Sequence, residues 1–202
     1  MTVKIKLSIF STILIILIGF LPVPVSASGS LGIHSQFLNS DSANTPEDNQ
    51  RDIISALYLN DSTAVQIAQQ PAGNDNFVTS FPNYVTEYRA ASNFGTIGLL
   101  AHNYLAGQYF FQISMGQEIE LVYGDSHIEK FIVTNIQRYQ ALSPNSPTSD
   151  FIDLVSGEYL TASQLFNKVY RNQSGHLVLQ TCIYADENPT WGRLFIIAEP
   201  AI

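Results

Sequence analysis

The sequence predicts a mainly β protein: a closed or nearly closed barrel of seven to eight strands with one or two short helices. Three observations predict it. After Phe77 the chain breaks into short apolar or alternating runs separated by turn residues, at the spacing expected of barrel strands. Only one segment of that region carries clear helical spacing. Apolar residues make up 46% of the 202, enough for a core. Charged residues are only 13%, with no heptad or longer repeat, which excludes coiled coils and solenoids.

Taken in order, the elements begin with Gly95 to His102, an apolar run with small residues, as in a buried strand. Gln117 to Gly124 alternates, with Ile119, Leu121 and Tyr123 on one face and Glu118 and Glu120 on the other. Gly124-Asp125-Ser126 is a turn, and Glu129 to Tyr139 returns as the second arm of a hairpin. Ser143 to Pro147 reads as loop. Thr161 to Tyr170 is the helix: Thr161 and Gln164 form a capping box, and Leu165/Val169 and Phe166/Tyr170 are spaced i,i+4. Two apolar strands close the chain, His176 to Ile183 and Arg193 to Ala198, joined by a loop from Ile183 to Gly192.

The chain therefore divides into three. Residues 1–27 read as a secretion signal: Lys4 and Lys6 precede an apolar run from Ile9 to Leu21, Pro22 and Pro24 end it, and Val25-Ser26-Ala27 has the small-residue pattern of a cleavage site. The alternative is an uncleaved anchor, although the run is shorter than the roughly 20 residues a spanning helix needs. Residues 28–76 are rich in Ser, Asn, Asp, Gln and Gly and read as a polar arm with short helices, the best candidate being Pro46 to Leu59. Residues 77–202 form the barrel domain. The expected location is extracytoplasmic, secreted or at the cell surface, with membrane contact only through an uncleaved N-terminal segment.

Charge narrows the function. Seventeen acids against nine bases give −8, and loss of residues 1–27 removes two lysines and leaves −10. No basic stripe is present to engage phosphates, which excludes nucleic acid. One cysteine, Cys182, occurs in the whole chain. Outside the cytoplasm cysteines ordinarily pair, so an exported lone thiol is either a buried small hydrophobe or a reagent.

A reactive thiol needs a proton-transfer partner and a cation or dipole for the developing oxyanion. His176 lies six residues before Cys182 on one strand, about 20 Å away, and is excluded. His34 lies in the arm. His102, ending a buried strand, and His127, in or beside a hairpin turn, remain; a turn histidine is ordinarily just solvated, which favours His102. Among arginines, Arg51 is in the arm, and Arg89, Arg138 and Arg171 lie near other elements. Arg193 opens the strand after Cys182 and shares its rim if the two strands pair antiparallel. Otherwise it simply caps a strand end in water.

These residues resemble the sortase family. Leu179-Gln180-Thr181-Cys182, followed after a loop by Arg193-Leu194 and an apolar strand, is similar to the family's nucleophile and arginine signature. Leu100-Ala101-His102-Asn103 matches its histidine segment, and Phe110 to Gly124 matches the turn, Gly-Gln and strand that follow. The resemblance covers about residues 77–200. Val178 stands where the family usually has Thr, and Ala101 where Gly is frequent.

The resemblance implies a cysteine transpeptidase with a sortase-like barrel. Cys182 attacks a threonyl carbonyl in a C-terminal sorting motif of an exported protein. An amine acceptor, a cell-wall peptide or a protein lysine, then resolves the thioacyl-enzyme. His102 handles protons, Arg193 orients substrate and stabilises the oxyanion, and Thr181, Ala101 and Asn103 are expected beside the substrate. No cofactor or metal is required; the chain has no Cys-x-x-Cys or His-Glu-x-x-His, and weak calcium binding by loop acids stays open. The competing expectations are a secreted thiol peptidase that uses water, and an inactive sortase-like barrel that binds peptides at a surface.

Overall fold

Residues 51–202 are described by a computed structural model, and their apolar runs form ten strands. These are β1 (Ile54–Asn60), β2 (Thr63–Gln69), β3 (Tyr84–Glu87), β4 (Ile97–Ala101), β5 (Glu118–Tyr123), β6 (Ile128–Ala141), β7 (Phe151–Asp153), β8 (Tyr159–Leu160), β9 (Leu177–Ala185) and β10 (Asn188–Pro200). The order is β10-β9-β4-β3-β2-β1-β5-β6-β7-β8, and a further pairing of β10 with β6 closes the first eight into a barrel. Closure removes the unpaired edges that an open sheet would expose. Most neighbours are antiparallel, whereas β2–β3 and β4–β9 run parallel. The signal segment, His34 and the arm as far as residue 50 lie outside the described residues.

Alternation along each strand sorts side chains to two cores. Leu177, Leu179, Leu194, Ile196, Leu99 and Ala101 point into the barrel with Leu57, Val65, Ile119, Leu121, Phe131 and Val133. Val178, Phe195 and Ile197 point outward, against Phe151, Leu160, Leu165, Val169 and Tyr170. The outer core is roofed by α2 (Ala162–Phe166), which continues into a π-helical stretch over Asn167–Arg171; a shorter helix, α1 (Arg89–Ser92), precedes β4. The expected capping box is formed, with Thr161 and Gln164 satisfying each other's backbone N–H groups. Leu165 and Val169 are buried, and the rings of Phe166 and Tyr170 lie 5.4 Å apart, as the i,i+4 spacing requires. The Gln117-to-Tyr139 hairpin also forms, as β5 and β6.

Two expectations need correction. The barrel does not begin at residue 77: β1 and β2 lie within the stretch read as a polar arm, and no helix occupies residues 54–59. β1 pairs with β2 and β5, and both its faces are buried, Leu57 and Leu59 in the barrel interior and Ala56 and Tyr58 in an outer cluster with Val122, so it shows a nearly continuous apolar run in place of alternation. Asp61-Ser62 is the hairpin turn between the two strands, with the Asn60 side chain accepting from Ser62 N and Oγ. Secondly, the connection between the last two strands is not a loop over Ile183 to Gly192. The strands run on to Ala185 and Asn188, leaving Asp186 and Glu187 as a two-residue turn with positive φ at both, as a tight hairpin demands.

Candidate active site

The last hairpin contains a bulge. Ala185 pairs with Asn188 and Ile183 with Gly192, so Pro189, Thr190 and Trp191 face Tyr184 alone. Such a bulge re-aims the residues that follow it. Register resumes at Gly192, where the backbone is so close to β6 that a Cβ would stand 2.5 Å from Tyr139 O. Only glycine fits there. The next pair is Arg193 with Cys182.

On the other side of β9, Ala101 of β4 pairs with Thr181 and Leu100 with Gln180. His102 follows Ala101 and thus sits beside Cys182 as the parallel register runs on. Adjacent strands are about 4.8 Å apart, so His102, Cys182 and Arg193 form one row across three neighbouring strands. Alternation turns this row outward, since Ala101, Leu179 and Leu194 belong to the barrel interior. All three residues line one cavity of about 310 Å³. His127, the other candidate, stacks on Tyr123 and contacts Asp125 at the β5–β6 turn, and His176 faces Glu199.

Each member of the row is held. The guanidinium of Arg193 donates from Nη1 to the carbonyls of Thr190 and Gly192, both at 2.9 Å, so the bulge fixes its position. The carbonyl of His102 accepts from the N–H groups of Leu105 and Gly107, both at 3.0 Å. Its ring stacks on Tyr104, 5.3 Å between centroids at 21°. A Cβ on Gly107 would lie 2.3 Å from Thr181 Oγ1 and 2.7 Å from His102 O, so this turn requires glycine. Cys182 is a free thiol and half-buried. Burial pushes its pKa up, and the nearby Arg193 charge pulls in the opposite direction without cancelling it.

The positions expected beside the substrate divide. Ala101 and Thr181 touch the cavity, but Thr181 is buried and its hydroxyl donates to Ala101 O at 2.8 Å. That bond ties β4 to β9, so Thr181 supports the row from behind. Asn103 is not among the residues lining the cavity. Its amide donates to Pro189 O at 2.9 Å, and this bond anchors the histidine segment to the bulge. Among the described residues no cluster of His, Cys, Asp or Glu is arranged to hold a metal ion.

Three further contributors sit where sequence reasoning did not look. Gly107 permits the close turn under His102. Gln180, two residues before Cys182, shares its face by alternation and lines the cavity, and Tyr170 from the roof donates its hydroxyl to Gln180 Oε1 at 2.6 Å. The period-two pattern of β9 could have identified Gln180; nothing local in the sequence tells that residue 170 folds back over residue 180.

No family model matches the chain, and no curated protein matches it. Solved structures do. Sortase A from Corynebacterium diphtheriae is similar at 12% identity and a TM-score of 0.50, over 88% of this chain and 72% of that one. A Clostridium perfringens Sortase D5 transpeptidase is similar at 12% identity and a TM-score of 0.49, over 87% and 100%. Listeria monocytogenes sortase A gives 11% and 0.45, over 74% and 88%. The protein has the sortase fold: a closed eight-stranded barrel with few short helices.

Proposed function

We propose that this protein is a sortase-type cysteine transpeptidase that cleaves a C-terminal sorting motif of exported proteins and passes the acyl group to an amine. The observation that carries the reading is the row of His102, Cys182 and Arg193 along one cavity face. The Cys182 thiolate attacks the scissile carbonyl, and the oxyanion forms toward the Arg193 guanidinium, a fixed cation in a partly dry groove. Collapse breaks the C–N bond, and the departing amine takes its proton from protonated His102. A thioester on Cys182 and a neutral imidazole remain. The incoming amine gives its proton to His102, attacks the thioester and releases the thiolate, which restores the starting state.

The partners are then a sorting-motif peptide and an amine, either a cell-wall peptide or a protein lysine, outside the cytoplasm. No helix among the described residues is long and apolar enough to cross a membrane. The elevated thiol pKa favours a second reading, a barrel retired from catalysis into peptide binding. Incubating the full chain with internally quenched peptides, with and without hydroxylamine, separates the cases. A transpeptidase shifts its product almost wholly to hydroxamate when the amine is present, a water-using peptidase keeps acid as its main product in both arms, and a binding barrel yields neither product.

A further inference from the structure

The cavity beside Cys182 is walled by apolar and aromatic groups, among them Leu100, Leu165, Phe166, Val169 and Phe195. A polar side chain rises from its floor. Gln180 points the same way as Cys182, two residues or about 7 Å along β9. Tyr170 donates its hydroxyl to Gln180 Oε1 at 2.6 Å. Tyr170 is buried, which keeps its phenol protonated and therefore able to act as the donor. With Oε1 engaged on the roof side, the amide nitrogen is left with two N–H donors. Among the described residues that nitrogen donates to no acceptor, and Gln180 lines the cavity.

We infer that Gln180, oriented by Tyr170, is a specificity-determining residue that selects a hydrogen-bond-accepting side chain, an amide or hydroxyl, in the acyl segment of the substrate. The inference rests on the transpeptidase reading and adds the substrate chemistry at that site. The acyl segment must stay seated while one amine leaves and another enters, so it takes the roofed end of the cavity, where Gln180 lies. An apolar substrate side chain there strips water from the Gln180 N–H groups and gives no bond in return. Sites built with such donors discriminate strongly against partners that cannot accept. Spacing places the selected residue about two positions from the scissile carbonyl.

The test uses a positional-scanning library of internally quenched hexapeptides against the full-length protein and its Gln180→Leu and Gln180→Glu variants. Gln180→Leu removes the donors but leaves the Tyr170 hydroxyl without a partner; Gln180→Glu removes the donors and keeps an acceptor for that hydroxyl. Circular dichroism and thermal midpoints check that both fold. The expected result is a preference of about tenfold or more for Asn, Gln, Ser or Thr over Leu at one acyl-side position in the wild type, lost in both variants. A uniform fall in cleavage with unchanged preference, or a wild-type preference for Leu, overturns the inference. The same library is also retained on immobilised wild-type and variant proteins and read by mass spectrometry. If no peptide is cleaved but polar residues are enriched only on the wild type, the inference stands and the transpeptidase reading fails. If neither cleavage nor enrichment depends on Gln180, the inference fails.

Discussion

Arg193 stands directly opposite Cys182 in the β9–β10 ladder, and its guanidinium is clamped by the carbonyls of Thr190 and Gly192. A cation so fixed lowers a barrier only where charge develops, so its removal should affect turnover more than binding. Arg193→Ala is expected to lower kcat by about 10²- to 10³-fold while the barrel stays folded. Arg193→Lys should recover only part of the activity, because Nη1 alone donates to both carbonyls and an ammonium that takes over those bonds has no second planar nitrogen left to face the oxyanion. Steady-state cleavage with and without hydroxylamine checks both variants.

The same pair sets a pH dependence. Burial raises the Cys182 pKa and Arg193 opposes that rise. A thiol with an elevated pKa is protonated at neutral pH, and its thiolate fraction grows as pH increases. Alkylation of Cys182 by iodoacetamide should therefore be slower at pH 7 than that of a free cysteine and climb through the alkaline range. Without Arg193 the lowering influence is gone, so the Arg193→Ala profile should move to higher pH. A shift toward lower pH contradicts this account of the electrostatics.

Gly107 and Thr181 pack against the turn that holds His102. Gly107→Ala places a methyl 2.3 Å from Thr181 Oγ1 and 2.7 Å from the His102 carbonyl, and backbone cannot yield as a side-chain tip can. The expected loss is about 1–3 kcal/mol of stability, with cleavage reduced further than thermal unfolding at assay temperature explains. Thr181→Val removes the bond to Ala101 O at similar volume and should cost about 1 kcal/mol. Denaturant melts alongside cleavage rates measure both.

β1 and β2 are structural members of the barrel. Leu57, Leu59, Val65 and Ile67 all belong to its interior. At about 1.5–3 kcal/mol each, their burial is comparable with the roughly 5–15 kcal/mol net stability of a whole domain. A fragment of residues 77–202 should show no cooperative thermal transition, whereas residues 51–202 should unfold in one step. Scanning calorimetry on the two fragments decides it.

How far the sequence was legible follows from the range of the forces involved. The capping box at Thr161, the β5–β6 hairpin and the alternation of β9 are set by neighbours within a few residues, and each can be read directly. β1 resisted because its two faces pack into two different clusters, which makes it apolar throughout, and its polar surroundings masked it. The row of His102, Cys182 and Arg193 was anticipated from order and strand ends; the bulge that brings Arg193 into register with Cys182 depends on the close approach of Gly192 to β6, a distant contact. Asn103 and Thr181 were expected at the substrate because they flank the reactive residues; their tertiary hydrogen bonds, to Pro189 and Ala101, join distant segments and could not be read from the sequence.

The central claim is that Cys182 carries the acyl group. Intact-mass and tryptic mass spectrometry of the protein after brief incubation with the cleaved peptides measures it most directly. The account predicts an acyl adduct on the Cys182-containing fragment that hydroxylamine discharges as a hydroxamate, absent from the Cys182→Ala protein. Cleavage by Cys182→Ala, or wild-type cleavage with no adduct under conditions that trap thioesters, contradicts it.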